Sequence, residues 1–239
     1  MRLIYIVLCL FFSLSIYGQS DIKSSQDNAL KQEWVDEANF YAVLFTGKEQ
    51  IKYPFSYENH PFYIQKEPIN GFLTYDGVDY PLVGLRWDTY RDDMIAISSD
   101  QRFNVILVPE RFSEAGFQDN HLFFIDANKA SGIPKSGYFL NLYDNKYKVW
   151  AKPFALLNNK HVEQRAVNYF TFHKHYYIQK GETYYAVKNL SGIYRVFADK
   201  KKELKQYVKK NNLNFRASPD NIIPLIVREY ERLTQTDKQ

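Results

Sequence analysis

Apolar and polar residues alternate through the middle of the chain, from about Tyr41 to Val187, and no helical period interrupts them. Alternation with a period of two predicts half-buried strands. Short polar or glycine-containing pairs divide the pattern into runs, which is typical of hairpins. The turn sites are Thr46-Gly47 after residues 43–45, Asp76-Gly77 after 71–75, Asp144-Asn145 after 138–143 and Lys180-Gly181 after 176–179.

Further runs predict strands at residues 82–87, 94–98, 104–108 and 122–125, and a loop with Ser, Gly and Pro is predicted at 126–136. The aromatic share of 17%, with 20 Tyr and 18 Phe, also favours strands. We therefore predict a mainly β body over residues 41–188, an antiparallel meander that forms a barrel or a sandwich.

The hydrophobic period changes after Asn189 and predicts helices. A short helix should end near Asp199, and a second should follow over about 200–210. A third should begin at Ser218-Pro219-Asp220 and continue to about Leu233. Residues 189–239 are thus predicted to be a helical C-terminal segment, which makes the fold α+β overall.

The first residues follow the order of a secretory signal peptide: Arg2, an apolar run from Leu3 to Leu14, and then the small residues Ser15 and Gly18. The run is shorter than the roughly 20 residues that a membrane-spanning helix needs. We therefore predict a signal peptide at 1–18 and an exported protein. Residues 19–40 are predicted to form a flexible lead and a short helix over 28–39.

Cys9 is the only cysteine, and it lies inside the predicted signal peptide. Residues 19–239 therefore exclude disulfides, a thiolate nucleophile and Cys-ligated metals. A chain of this length can be stabilised by its core alone. An exported protein without disulfides is more typical of bacteria than of eukaryotes.

The net charge of +4 is too small to indicate nucleic-acid binding, but basic residues concentrate between Asp199 and Arg216. Lysines of the predicted second helix could make peripheral contact with an anionic membrane surface. A solvated helix face is the simpler interpretation. The lysines in question are Lys200, Lys201, Lys205 and Lys209.

Residues 87–93 place three carboxylates beside a cation and two aromatic rings. A glycosidase needs two carboxylates at a controlled separation, together with aromatic platforms for sugars. A turn with solvated charges would explain the same residues. We take Trp87, Asp88, Tyr90 and Arg91 as candidate residues for binding a ligand or partner.

His173 and His175 are the candidate metal ligands of the sequence. On a strand, both imidazoles would project from one face about 7 Å apart, a spacing that suits two zinc ligands. A third ligand would have to come from His121, His161 or Glu163. The alternative is that both histidines lie on the polar face of an amphipathic strand.

Motifs spread over most of the chain carry a family resemblance. They are His60-Pro61-Phe62-Tyr63, residues 71–80, Asp88-Thr89-Tyr90-Arg91-Asp92, the hairpin from Gly137 to Lys152, and the patterns at 184–188 and 202–205. Through these turns and strand pairs, residues 41–233 resemble a family of uncharacterised exported proteins of the Bacteroidota. The resemblance implies a location in the envelope of a Gram-negative bacterium and assigns no activity.

Signatures of the common enzyme classes are absent: there is no G-x-S-x-G, no H-E-x-x-H, no phosphate-binding glycine loop and no dinucleotide fingerprint. No cofactor is predicted. We therefore expect a non-enzymatic binding or assembly module of the cell envelope, in the periplasm or associated with the outer membrane. Its expected partner is another envelope protein or a glycan, and not a nucleic acid. The alternative is a carbohydrate-active or metal-dependent hydrolase of the periplasm.

Overall fold

The computed structural model describes residues 40–163 and 165–236, and the chain divides into two compact units, residues 1–46 and 47–239. In the first unit, residues 40–42 are helical and Val43–Phe45 is a 3-10 helix. The strand predicted at 43–45, with its turn at Thr46-Gly47, is therefore wrong. The Thr46 N–H and hydroxyl both donate to the Val43 carbonyl and close a helical turn instead. The predicted signal peptide at 1–18 and the helix at 28–39 lie outside the described residues.

The described part of the second unit contains one continuous antiparallel sheet of eleven strands. The strands are β1 (Lys48–Glu49), β2 (Ile69–Tyr75), β3 (Val78–Asp88), β4 (Asp93–Ile97), β5 (Asn104–Ile106), β6 (Phe112–Phe117), β7 (Asn120–Ile125), β8 (Gly137–Asp144), β9 (Lys148–Val162), β10 (Arg165–Lys180) and β11 (Thr183–Val187). Their order across the sheet is β1-β5-β4-β3-β2-β6-β7-β8-β9-β10-β11. The predicted mainly β, α+β fold is confirmed.

The hairpin between β2 and β3 shows why the turn predictions were possible. Asp76 and Gly77 both have positive φ, 55° and 75°, as a type I′ turn requires. Asp and Gly tolerate this conformation better than most residues. The turns predicted after 138–143 and 176–179 also separate consecutive strands, β8 from β9 and β10 from β11.

Six neighbouring strands, from β3 through β2, β6, β7 and β8 to β9, form a curled series in which β9 reaches the turn that follows β3. Strand β8 pairs with β9 only as far as Ala151, so the edge of β9 beyond it is open to another partner. There the Ala155 N–H donates to the Thr89 carbonyl, just after β3, at 3.1 Å. Aromatic side chains pack across this ring of strands: Trp87 and Phe112 both contact Tyr138, with centroids 6.3 and 4.9 Å apart.

Residues 50–68 cross the opposite face of β3 and β4. Phe62 packs against Ile95 and Ile97 in a small buried cluster, and the Arg86 guanidinium lies over the Phe62 ring at 4.5 Å. Phe62 also forms an isolated antiparallel bridge with Asp88. This covering segment brings residues that are distant in sequence to the end of β3.

Three helices follow the sheet, as predicted: α1 (Leu190–Val196), α2 (Lys201–Lys210) and α3 (Pro219–Thr236). The Asn189 side chain accepts the Gly192 N–H at 3.0 Å and caps the start of α1. Apolar residues of all three helices share one core with β9, β10 and β11. Burial of this amphipathic face stabilises helices that are short in isolation.

Glu231 attaches α3 to the turn between β8 and β9. The residue is only 4% exposed. Its carboxylate accepts the Tyr143 hydroxyl at 2.7 Å, the Asn145 side-chain amide at 3.0 Å and the Tyr147 N–H at 2.9 Å. Because a buried carboxylate is stable only with such donors, these contacts fix where α3 lies on the sheet.

Replacing Glu231 with alanine should lower the free energy of unfolding by about 1–3 kcal/mol, because the buried Tyr147 N–H loses its acceptor. Urea denaturation measures the change. Glu203→Ala, at an exposed position of α2, is the control and should change stability by less than about 0.5 kcal/mol. Equal effects of the two substitutions would contradict this role of Glu231.

Candidate functional site

The turn between β3 and β4, residues 89–92, is organised by Asp88 from within. Asp88 is fully buried. Its Oδ1 accepts the backbone N–H of Tyr90 and of Arg91, each at 3.0 Å, and its Oδ2 accepts the Tyr53 hydroxyl at 2.5 Å. An aspartate that accepts from the next residues favours a turn over further strand. Asp88 therefore serves the shape of the turn.

The other three candidate residues of this stretch divide between core and surface. Trp87 is 1% exposed, and its indole N–H donates to Asp92 Oδ1 at 3.1 Å. Tyr90 is 42% exposed, and Arg91 is half-buried. The structure thus brings the four together but leaves only Tyr90 and Arg91 at the surface.

Five aromatic rings form a connected cluster beside this turn, with Tyr53 at its centre. Its centroid lies between 5.4 and 6.0 Å from each of the other four rings, at interplanar angles from 51° to 88°. Edge and tilted contacts of this kind are favourable arrangements of aromatic pairs. The other rings are Phe55, Tyr57, Tyr90 and Phe170.

Arg91 connects this cluster to the preceding segment. Its guanidinium lies over the Tyr53 ring at 4.0 Å and donates to the Ile51 carbonyl at 2.7 Å. The Ile51 side chain is 65% exposed. We call the surface formed by Ile51, Tyr53, Phe55, Tyr90 and Arg91 the aromatic patch.

A second polar contact lies on the other side of the turn, where Lys152 of β9 meets Asp92. Lys152 Nζ contacts Asp92 Oδ2 and also donates to the Tyr138 carbonyl at 3.0 Å. The two side chains are 15% and 17% exposed. The rings of Trp87 and Phe139 lie 5.7 and 5.1 Å from Nζ. This pair ties the start of β4 to β9.

Burial raises the pKa of Asp88, Asp92 and Asp93 above the ordinary aspartate value and lowers the pKa of Lys152. The positive charge of Lys152 opposes the shift at Asp92 without cancelling it. At Asp93, the charge of Asp88 adds to the effect of burial on the pKa, because the two aspartates are directly opposite each other across β3 and β4. Desolvation by burial is thus the largest cause of the pKa shifts in this turn.

The raised pKa of Asp88 predicts the direction in which stability changes with pH under acidic conditions. Between the unfolded pKa, about 4, and the higher native pKa, the folded protein binds more protons than the unfolded chain. This contribution to stability is therefore lost as pH rises through that interval. Asp88→Asn keeps an acceptor for the two N–H groups and removes the titration.

We therefore compare the free energies of unfolding of the wild type and Asp88→Asn. The difference, wild type minus variant, should decrease as pH rises from about 4. It should become constant above the native pKa of Asp88. Urea titrations at a series of pH values measure it. Asp119→Asn, at an exposed position, controls for the loss of one negative charge. Parallel pH curves for the wild type and Asp88→Asn would contradict the assignment.

His173 and His175 lie on one face of β10, and the Phe154 ring of β9 stacks against both imidazoles. The centroid distances are 5.4 Å to His173 and 4.5 Å to His175, with interplanar angles of 27° and 22°. Burial lowers the pKa of His175, and the nearby positive charges of Lys188 and His173 add to the shift. His173 Nε2 also lies 3.2 Å from the Thr171 hydroxyl oxygen.

The proposed third ligands lie elsewhere. His121 of β7 contacts Glu114 at 2.6 Å. His161 is opposite Ala166 on β10, which is about 23 Å from His173 at 3.3 Å per residue. In residues 40–163 and 165–236, no group of three or more His, Cys, Asp or Glu side chains could hold a metal ion.

The lysines of α2 line its exposed side. Lys201, Lys205 and Lys209 follow each other at four-residue spacing and are all exposed, while Leu204 and Val208 on the other side are buried. Lys200 ends the preceding 3-10 helix, Ala198–Lys200. The predicted basic face is therefore an ordered row of cations.

No protein-family model, curated protein or solved structure matches the chain. The resemblance to exported proteins of the Bacteroidota accordingly stays a prediction. Within the described part of the chain, every helix is too short or too polar to cross a membrane.

Sequence reasoning missed Tyr53 and Lys152 as members of this site. Tyr53 lies 35 residues before Asp88 in a segment without regular strands, so no period connects the two. Lys152 carried a usable signal, since it is the one charged residue between Val149 and Leu157. A lone lysine in such a run requires a buried partner or a path to solvent.

Proposed function

We propose that the protein is a non-enzymatic binding module of the cell envelope that receives a partner protein on the aromatic patch. The observation that carries the proposal is that two large side chains next to Arg91 are exposed: Ile51 is 65% exposed and Tyr90 is 42% exposed. Tyrosine and arginine are enriched among the residues that dominate binding energy in protein interfaces.

Two side chains of the patch, Arg91 and Tyr53, are anchored by contacts within the protein. Arg91 is fixed by the Tyr53 ring and the Ile51 carbonyl, and Tyr53 is fixed by Asp88. Binding to a pre-organised surface avoids much of the entropy loss of ordering side chains. This favours a specific interface over incidental exposure of apolar residues.

A protein suits the patch better than a glycan. The rings around Tyr53 are inclined by 51° or more to its plane. They offer ridges and edges rather than the flat platform on which a sugar ring stacks. Inclined rings and an arginine match the uneven surface of a folded partner.

The contacts of the carboxylates give the hydrolase alternative little support. Asp88 is fully buried and accepts three hydrogen bonds from the protein. Asp92 is engaged by Lys152 and Trp87. A glycosidase carboxyl must reach the scissile bond, whereas these two groups are committed to contacts inside the protein.

Tyr90→Ala should weaken capture of the partner at least about tenfold, the size expected for an interface anchor. The measurement is affinity purification of the wild type and the variant from the native envelope, followed by quantitative mass spectrometry. Tyr185→Ala is a matched control, because Tyr185 is 40% exposed and lies on β11. A partner lost with Tyr90→Ala and kept with Tyr185→Ala supports the proposal. The same copurifying proteins for all three would refute it.

The row of Lys201, Lys205 and Lys209 supports a second contact, with an anionic membrane surface. Each lysine near such a surface contributes about 1 kcal/mol, so changing all three to glutamine should weaken binding by about a hundredfold. Sedimentation with phosphatidylglycerol-containing vesicles at low salt measures this, with zwitterionic vesicles as the control. Binding that is unchanged by the substitutions or by high salt would exclude the contact.

A further inference from the structure

The pair formed by Lys152 and Asp92 lies apart from the aromatic patch and has no role in the proposed function. Lys152 Nζ contacts Asp92 Oδ2 where β9 passes the turn between β3 and β4. We propose that Lys152 and Asp92 form an intramolecular isopeptide bond, an amide between Nζ and the side-chain carbon Cγ, that joins β9 covalently to this turn.

Close packing holds the two groups against each other. A Cβ atom added at Gly137 would lie 2.1 Å from Asp92 Oδ2 and 2.2 Å from Lys152 Nζ. Only glycine therefore leaves room for the pair on this side. The rings of Trp87 and Phe139 lie 5.7 and 5.1 Å from Nζ. Reacting groups confined in this way behave as if at very high concentration.

The hydrogen-bond partners of the pair are those that an amide needs. Asp92 Oδ1 accepts the indole N–H of Trp87 at 3.1 Å, and Nζ donates to the Tyr138 carbonyl at 3.0 Å. The product amide would keep Oδ1 as its carbonyl oxygen and one hydrogen on Nζ. Both of its polar groups would thus remain hydrogen-bonded. The charged pair, in contrast, bears the desolvation of two ions.

The reaction needs no co-reactant. A proton passes from the Lys152 ammonium to Asp92 Oδ2 and leaves an amine beside a carboxylic acid, a neutral pair that burial favours. The amine lone pair then forms the Nζ–Cγ bond, while the Trp87 N–H stabilises the negative charge that develops on Oδ1. The Cγ–Oδ2 bond breaks, and Oδ2 leaves as water after taking a second proton from Nζ.

The bond would secure the fold at the point where the ring of strands closes. Lys152 and Asp92 are 60 residues apart in sequence, and the Ala155–Thr89 hydrogen bond lies beside them. A crosslink over such a loop restricts the unfolded chain as a disulfide does. Residues 40–239 contain no cysteine, so a disulfide cannot perform this task.

Peptide mapping of the purified full chain tests the proposal directly. Trypsin places Asp92 in the peptide 92–102 and Lys152 in the peptide 149–160, since it does not cleave the Lys152-Pro153 bond. We expect one linked species whose mass is the sum of the two peptides less one water. Tandem mass spectrometry should locate the branch at Asp92 and Lys152. Recovery of the two free peptides as the main products from the folded wild type would overturn the proposal.

Two controls test whether the linked species comes from an amide between Lys152 and Asp92. Lys152→Arg keeps a positive charge but lacks an amine able to form this amide, so both free peptides should return. The pair of Lys148 and Asp144, whose side chains are 39% and 50% exposed, should yield only unlinked peptides from the same digest. A linked species that persists in Lys152→Arg would assign the crosslink to another lysine and refute the proposal.

Discussion

A main-chain hydrogen bond from the Ala155 N–H to the Thr89 carbonyl joins the two ends of the ring of strands, and it requires the turn that carries Thr89 to keep one shape. Asp88 imposes that shape, because a fully buried carboxylate must satisfy its acceptors with nearby donors. The backbone N–H groups of Tyr90 and Arg91 are two of these donors. Loss of the Asp88 contacts would therefore disturb this main-chain hydrogen bond as well as the turn.

The same carboxylate connects the core to the proposed binding surface. Its third donor is the Tyr53 hydroxyl, and the Tyr53 ring supports both Arg91 and Tyr90. Phe170 of β10, which is buried, packs against Tyr53 and Tyr90. The aromatic patch is thus an outer layer of the packing that closes the sheet, and its half-exposed rings rest on the buried Phe170 ring.

Local chemistry explains which parts of the fold were predictable. Asp76-Gly77 and the Asn189 cap act within a few residues, so the sequence contains the whole signal. Three residues at 43–45 are too few to distinguish strand alternation from a helical turn. The burial of Asp88 could not be predicted, because it depends on Tyr53 and on the covering segment that only the folded chain brings near. The face shared by His173 and His175 followed from strand alternation, whereas the Phe154 ring stacked on them depends on the register of β9 with β10.

Two buried carboxylates lie at junctions between distant segments: Asp88 at the covering segment and Glu231 at the turn between β8 and β9. Hydrophobic burial is non-directional, and a sheet rich in Tyr and Phe could pack these segments in more than one position. A carboxylate accepts only from donors at fixed places, so a shift of one residue would leave its charge unpaired at a cost of several kcal/mol. We infer that these groups select one arrangement of the segments among several that bury a similar apolar area. Residues 40–239 contain no cysteine, so disulfides cannot contribute to this selection.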